Sequence, residues 1–531
     1  MLTSFENSMT DVTKSTEKSF PAEKNLHRPA APVEIELKFE LEPAAVAQLR
    51  LHPALAGQPA NSKRQRTVYF DTPDGAVRKA GFSLRVRSSG DRFIQTVKPL
   101  AASAGLFARS EWEVDVAALE PDRARLVATP LVELASAGAL EHLSPIIDSE
   151  VTRTSWTVGD YGGRIQVDLD EGRIAAGGAE ETLCEVELEL VAGEPRQVLA
   201  LARSLAEAVP MRIGVLTKAE RGFALADGSA GKVSKAGPVA VSAEMSVAEG
   251  FAAVAHACLK HFRLNEGLVI RERDASALHQ SRVAMRRLRS ALSLFRRVVA
   301  DDAFGLLRDE LRWFTAQLGE GRNLDVYLQR QDIPQEQRGE LGVRREAVYE
   351  AIVGSLESQR FRLLTLDIVA WLEAGHWRSG PKAQRALKPF ARKRLNALWR
   401  RVEGYGDDLS HLEEDTRHEL RIEIKKLRYA LEFFDELFRE DRSGRKRFAA
   451  EVEGLQEALG LLNDIVTARQ LTAATGVEDE GWLVVQPPEQ ERQLLHACDR
   501  HLHQLSKVGR YWMEGAPREA AMAESGAAGE D

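Results

Sequence analysis

The stretch Glu34-Ile35-Glu36-Leu37-Lys38 constrains the fold more than any other, because three charges alternate with apolar residues at the period of a strand. Side chains at i, i+2 and i+4 share one face of a strand. Glu34, Glu36 and Lys38 therefore point one way, and Val33, Ile35, Leu37 and Phe39 the other. Later segments repeat the pattern. Arg85 and Arg87 share a face, as do Arg109, Glu111, Glu113 and Asp115. Asp168 and Asp170 lie opposite three aliphatics in Ile165–Asp170, and Glu185, Glu187 and Glu189 line up in Cys184–Leu190. Like charges this close repel unless something offsets them. One reading is the solvated face of an open antiparallel sheet. The other is a closed barrel with a polar interior, in which carboxylates and cations converge on a bound polyanion and its metal ions while helices cover the apolar exterior.

A chain of 531 residues is too long for one ordinary domain. Its hydrophobic fraction of 44% supplies real cores, and its charged fraction of 29% suits a soluble protein. Cys184, Cys258 and Cys498 fit neither a disulfide framework nor zinc-ligand spacing, as expected of small buried residues in a reducing cytosol. No apolar run reaches bilayer length and the N-terminus has no secretory core, so a cytoplasmic location without membrane association is expected. A net charge of −8 argues against general or specific nucleic-acid binding, leaving anion binding to local patches.

Residues 1–32 read as a disordered arm, rich in Ser, Thr, Lys, Glu and Pro, and 33–226 as the strand domain. A Gly/Ser/Ala/Pro linker follows over 227–241, then a helical domain over 242–508 and a flexible tail over 509–531.

The ordered series Glu34-x-Glu36-x-Lys38, Tyr69-Phe70-Asp71-Thr72, Arg85-x-Arg87, Lys98, Arg109-x-Glu111-x-Glu113, Glu185-x-Glu187-x-Glu189 and Lys218-Ala219-Glu220-Arg221 resembles a CYTH domain, of the triphosphate tunnel metalloenzyme superfamily. The resemblance runs from about Val33 to Leu225. It implies an eight-stranded antiparallel tunnel with flanking helices that binds a triphosphate and a divalent metal. By the same resemblance, Glu34, Glu36, Asp168, Glu185, Glu187 and Glu189 would hold Mg²⁺ or Mn²⁺. Lys38, Arg85, Arg87, Lys98, Arg109, Arg153 and Lys218 would offset the substrate charge, with Lys38, Arg87 and Glu187 nearest the chemistry. Any of the three glutamates in the Glu185 strand suits the role of proton acceptor from the attacking water, and spacing does not choose among them. Lys218 and Arg221 suit internal salt bridges equally well. Tyr69, Phe70, Phe82, Phe93 and Trp112 read as core.

The helical half is internally repeated. His279 to Phe295 aligns without a gap on His418 to Phe434. His279, Arg282, Arg286 and Arg289 fall on one helix face, and His418, Arg421, Lys425 and Arg428 on the corresponding face of the second copy. Apolar residues (Met285, Leu288, Leu292, Phe295; Ile424, Leu427, Leu431, Phe434) take the other face. Each copy is followed by an expected Leu-Gly turn, Leu318-Gly319 or Leu459-Gly460, and a short segment with Asn323 and Asp325 or Asn463 and Asp464. A single basic helix face is as readily a solvated surface. Two such faces brought together by a pseudo-two-fold suit a long polyphosphate chain. This half resembles a CHAD domain over about Ser242 to Val508, which implies inorganic polyphosphate binding between the two copies. His279 and His418 sit among arginines and read as phosphate contacts or packing residues rather than metal ligands; His256, His261, His496, His501 and His503 read as structural or exposed.

Joining two halves built for condensed phosphate favours hydrolysis of inorganic tripolyphosphate to pyrophosphate and phosphate, with association with polyphosphate granules as a corollary. An adenylate cyclase of class IV or another organic triphosphatase, and a polyphosphate-binding adaptor without turnover, are the rival expectations.

Overall fold

A computed structural model of the protein describes residues 33–100, 108–159, 162–329, 333–406, 408–409, 411–475 and 488–513. The expected N-terminal arm lies outside the described residues. Ten strands form one sheet: β1 (Val33–Leu41), β2 (Asn61–Asp71), β3 (Phe82–Ser89), β4 (Arg92–Pro99), β5 (Ala108–Ser110), β6 (Trp112–Val116), β7 (Ser144–Val158), β8 (Arg164–Ala176), β9 (Ala179–Ala192) and β10 (Met211–Ile213). Their order is β10-β1-β9-β8-β7-β2-β3-β4-β6, with β5 on β1, and every pairing is antiparallel.

The expected count of eight strands needs a correction whose cause lies in two places. Glu111 alone separates β5 from β6, and these pair with β1 and β4 respectively, so one interrupted line of chain closes the sheet into a ring. The edge of β1 away from β9 is also divided. β5 takes Val33–Ile35, and the short β10 takes Phe39–Leu41.

Alternation sorts the faces as the period of two requires. Leu37 and Phe39 of β1, Val167 and Leu169 of β8, and Val186 and Leu188 of β9 are buried on the outside of the ring, beneath Val198, Leu201 and Leu205 of helix α1 (Pro195–Ala208). On the far side, Val68, Phe70, Leu84, Val86 and Val97 pack under Leu126, Leu131 and Leu140. Helix α2 (Lys218–Ala226) is placed differently. Its Ala219 and Phe223 pack on Tyr69, Ile147, Val151, Ile174 and Leu183, all at inward-facing positions of their strands. One end of the ring is thus filled by α2. A Cβ on Gly222 would lie 2.5 Å from Ile147, so only glycine lets the helix approach this closely.

The second half is all helical: α3 (Val247–Glu272), α4 (Ala275–Val299), α5 (Phe304–Leu328), α6 (Gln335–Glu357), α7 (Gln359–Ala374), α8 (Leu387–Glu403), α9 (Glu414–Phe433), α10 (Arg442–Thr475) and α11 (Pro488–Val508). Ser246 and Glu249 start α3 with a reciprocal capping box. The repeated segments are α4 and α9, whose side chains meet: Arg286 donates to the Tyr429 hydroxyl (2.8 Å) and Arg287 to Glu432 (2.7 Å). The expected Leu-Gly turns are not turns. Gly319 lies inside α5 and Gly460 inside α10, and both helices run on to carry Asn323 and Asn463. A mid-helix glycine costs about 1 kcal/mol, and the buried Leu318 and Leu459 beside them supply packing that offsets it.

The two halves share one apolar core that runs from the outer face of β1, β8 and β9 through α1 into α3 and α7. Residues 227–241, expected as a linker, are tied to it. Val239 and Val241 are buried, and Ser234 exchanges two hydrogen bonds with the Asn265 side chain (3.0 and 2.9 Å). The expected tail likewise contributes before it leaves the described residues. Trp512 is fully buried and donates to Asn396 (2.9 Å).

Candidate active site and a basic helical face

The inward faces of the ring enclose a cavity of about 630 Å³. Its two walls differ in sign because of register. On the β1–β9–β8 wall, Glu36 sits opposite Glu189, Lys38 opposite Glu187 and Glu40 opposite Glu185; Gln166, Asp168 and Asp170 continue the three rows. Eight of these nine side chains are ionisable, and seven of the eight are carboxylates. On the β2–β3–β4 wall, Arg87 sits opposite Thr67, Arg85 opposite Tyr69 and Lys98 opposite Ser83.

The cations of this cavity are arranged around those carboxylates. Arg153 on β7 reaches Asp168 (2.8 Å), Asp170 (2.6 Å) and Glu187 (2.6 Å). Lys38 bridges Glu185 (3.2 Å) and Glu187 (2.9 Å). Lys218, the first residue of α2, contacts Asp170 (2.8 Å), Glu187 (3.3 Å) and Glu185. Burial opposes the charge on both lysines, but the carboxylates outweigh it and hold their pKa values above the usual lysine range. Burial also pushes the Glu187 carboxyl upward, and Lys218, Lys38 and Arg153 reverse this and hold it well below the usual carboxylate range. A carboxylate so committed to cations is a poor proton acceptor, which argues against Glu187 as the general base. Glycine at 214 sets how close Lys38 can come: Gly214 N donates to Lys38 O (2.8 Å), and a Cβ there would lie 2.8 Å from the Lys38 side chain.

The opposite wall is less neutralised. Arg85 lies 3.9 Å from Glu111 and Arg87 3.6 Å from Glu113, while Lys98 pairs with Glu111. The Nε groups of Arg85 and Arg87 are buried with no hydrogen-bond partner among the described residues. Burial, then the neighbouring Arg85 and Arg153 charges, lower the Arg87 pKa. Crowded, under-satisfied guanidinium groups facing a cavity suit an anionic ligand.

Of the residues expected at the site, Glu36, Lys38, Arg85, Arg87, Lys98, Arg153, Asp168, Glu187, Glu189 and Lys218 line this cavity. Glu185 is fully buried behind Lys38 and Lys218. Glu34 and Arg109 are register partners, and their side chains lie outside the described residues. Arg221 stands back from the cavity and pairs with Glu40 (2.9 Å) and Glu181 (3.0 Å). Tyr69, read as core, also lines the cavity, whereas Phe70 is core alone. Sequence reasoning missed the roles of four residues. Asp170 was signalled by its two-residue spacing from Asp168; Lys63 was not, because the start of β2 has no apolar alternation; Glu111 and Glu113 were seen on their strand but not as partners of the arginines.

Carboxylate oxygens of Asp170, Glu185 and Glu187 lie within 4.8 Å of one another, and Glu185 Oε2 is buried without a hydrogen-bond partner among the described residues. Apart from Lys38, the ionisable groups of the three rows are carboxylates, whose oxygens suit a hard divalent cation. Glu36, Glu189 and Asp168, which line the cavity, offer such an ion the same oxygens, although Asp168 is also paired with Arg153 (2.8 Å).

The repeated helices form a second charged feature. Arg282 of α4 is lowered in pKa by burial and then by Arg286, with Arg322 of α5 and Arg421 of α9 adding to the effect. Burial, then Arg322, Arg286 and Arg282, lower the pKa of His279. His279 Nδ1 and Arg282 Nε are buried without hydrogen-bond partners among the described residues. Arg322 was not anticipated; it lies between the expected turn and Asn323 on what proves to be continuous helix. His418 and Arg421 line a neighbouring cavity of about 340 Å³ with Asn463, which contacts His418 (2.8 Å). Arg289 lies farther along, near Arg312, and Arg428 is engaged by Glu432 (3.2 Å). Lys425 is half-buried and has partners of its own, while the side chain of Asp464 lies outside the described residues. Of the remaining histidines, His256 pairs with Glu373 (2.6 Å), His261 with Ser234 O (3.1 Å) and His501 with Glu451 (2.7 Å), while His496 and His503 are exposed. All three cysteines are free and buried, and burial raises their thiols to about 11 or 12. No helix among the described residues is long and apolar enough to cross a membrane.

A closed antiparallel tunnel with oppositely charged walls, packed on a duplicated helical bundle, defines the class of this protein. Family models agree. The CYTH domain model matches residues 33–223 and the CHAD domain model residues 253–473. The chain belongs among the proteins that join a CYTH domain to a CHAD domain. It is 28% identical over 199 residues to an inorganic triphosphatase of Haemophilus influenzae, a match spanning 36% of this chain and 54% of that protein, about half its length. An uncharacterised protein of Mycobacterium tuberculosis is 25% identical over 527 residues, covering 90% of this chain and 96% of its own. A crystal structure of the CHAD domain from Ricinus communis is 29% identical, covering 52% of this chain and 92% of its own, with a TM-score of 0.40.

Proposed function

We propose that the tunnel is a metal-dependent inorganic triphosphatase that splits tripolyphosphate into pyrophosphate and phosphate, and that the basic face of the bundle binds inorganic polyphosphate. The observation that carries the first half is the opposition of the Arg85–Arg87–Lys98 wall to the Glu36–Glu189–Asp168 wall across one cavity. A triphosphate brings about four negative charges near neutral pH, which the first wall meets with the under-satisfied Nε groups of Arg85 and Arg87. Lys38, Lys218 and Arg153 hold the inner carboxylates ionised and in place. Glu36, Glu189 and Asp168 would hold Mg²⁺ or Mn²⁺, which when bound neutralises phosphate charge and lowers the pKa of a coordinated water. Water attacks the terminal phosphorus, the bond to the bridging oxygen breaks, and pyrophosphate departs. The Haemophilus relative supports this substrate over an organic triphosphate. The second half rests on the convergence of Arg282, Arg286 and Arg322 around His279, with Arg421 of the second copy beside Arg282. Phosphate release from tripolyphosphate, ATP and thiamine triphosphate, each with Mg²⁺, Mn²⁺ or EDTA, tests the first half; titration with long-chain polyphosphate tests the second.

A further inference from the structure

The tunnel's inner lysines are held by the helical bundle as well as by the tunnel. Lys218 is the first residue of α2, and its position is fixed by a capping box in which Thr217 Oγ1 accepts from Glu220 N (3.1 Å) and Glu220 Oε2 accepts from Thr217 N (2.8 Å). The other oxygen of Glu220 accepts from Lys260 of α3, on the bundle, at 2.6 Å. One carboxylate therefore sets the first turn that carries Lys218 and is itself gripped by the other half of the molecule.

A second grip lies one residue on. Arg221 pairs with Glu40 of β1 (2.9 Å), and Arg263 of α3 pairs with the other oxygen of the same glutamate (3.1 Å). Arg263 also pairs with Glu266 and donates through Nε to Ile213 O at the end of β10 (2.8 Å). The next peptide, Gly214, donates to Lys38 O. Arg263 is almost completely buried, and burial pushes its pKa down to about 10, so it stays charged at neutral pH. Buried ion pairs are weak evidence for added stability, but a buried, multiply bonded charge fixes geometry and registry.

We propose that Lys260 and Arg263 are positioning residues for the tunnel: through Glu220, Glu40 and the Ile213–Gly214 peptide they set Lys218 and Lys38 against Asp170, Glu185 and Glu187, so that anion binding in the tunnel depends on α3 of the bundle. This rests on the anion-binding part of the reading above and not on turnover. Its test is therefore made independent of which substrate is cleaved. Full-length protein carrying Lys260→Met, Lys260→Arg or Arg263→Met is acylated with an amine reagent at pH 8, and labelling of Lys218 is quantified by mass spectrometry against the exposed Lys232. Tripolyphosphate affinity in EDTA is measured by calorimetry on the same samples. Lys260→Met is expected to raise Lys218 labelling and weaken tripolyphosphate binding, each about fivefold, the equivalent of one half-exposed ion pair, with Lys260→Arg restoring both. Arg263→Met is expected to act in the same direction more strongly; should it fail to fold, Lys260→Met carries the test. Labelling and affinity within twofold of wild type in a folded Lys260→Met protein would overturn the proposal. If wild type does not bind tripolyphosphate, the functional reading fails and Lys218 labelling alone decides the positioning role.

Discussion

Arg153→Met is the most informative single change in the tunnel, because it removes one charge from the middle of three carboxylates while keeping most of the stem's volume. Arg153 lies 2.6–2.8 Å from Asp168, Asp170 and Glu187, its side chain is 17% exposed, and those of the three acids are 3%, 0% and 15% exposed. Breaking a buried ion pair by removing one partner costs about 3–5 kcal/mol. For a domain of this size each kcal/mol moves Tm by about 2–4 °C, so a fall of roughly 6–20 °C at pH 7 is expected. The sign with pH follows from the acids. Asp170 and Glu187 are held below their ordinary values when folded, so their contribution is complete above the unfolded carboxylate pKa and is lost as pH falls through the folded values. The gap between wild type and variant should therefore be widest near neutrality and narrow below about pH 4. Because Arg153 is among the cations that hold Glu187 ionised, the divalent ions Mg²⁺ and Mn²⁺ should recover part of the lost Tm in the variant and less in wild type. Differential scanning calorimetry across pH, with EDTA or metal, measures all three effects. A Tm within 2 °C of wild type, or a gap independent of pH, would refute the assignment of Arg153 as the central counter-ion.

Under the proposed metal assignment, Glu36→Gln should lower metal-dependent turnover by about a hundredfold while leaving the fold intact; steady-state kinetics beside a melting curve reads both. Arg282→Ala combined with Arg421→Ala should weaken long-chain polyphosphate binding by about 3–6 kcal/mol at low salt, the worth of two charge-assisted contacts, and flatten its salt dependence; unchanged affinity would move the site elsewhere. His261, against Ser234 O and Gln280, is lowered to about 4 by burial and by Arg287, so it folds neutral. Its contribution of about 3 kcal/mol is complete above about pH 6.5 and lost as pH falls towards 4, so His261→Gln should flatten stability over that window in denaturant titrations.

The tunnel was legible in the sequence because strands advertise their two faces at a period of two, and like charges sharing a face demand a reason. Glu36, Lys38, Arg85, Arg87 and Asp168 were visible on those grounds, and all face one cavity. What the pattern did not carry was pairing. That Lys38 stands opposite Glu187, or that Arg153 reaches across to Asp168, depends on register and tilt, which are set by long-range closure of the ring. The interruption at Glu111 and the extra β10 were hidden for the same reason, since both are ways of finishing an edge. In the helical half, the repeat predicted which faces are basic, but not that Gly319 and Gly460 would be carried inside long helices, because packing overrides a cost of about 1 kcal/mol. The shared core was invisible: the Gly/Ser-rich composition of 227–241 reads as a spacer, and only the buried Val239 and Val241 and the Ser234–Asn265 hydrogen bonds reveal that this segment is held against the bundle.

The most direct test of the account is phosphate release by the purified protein from tripolyphosphate, ATP and thiamine triphosphate in parallel, with Mg²⁺, Mn²⁺ or EDTA. Metal-dependent release from tripolyphosphate well above that from either organic triphosphate, abolished by EDTA, is the expected result. Faster release from ATP or thiamine triphosphate, or no turnover of any of the three with metal present, would contradict it.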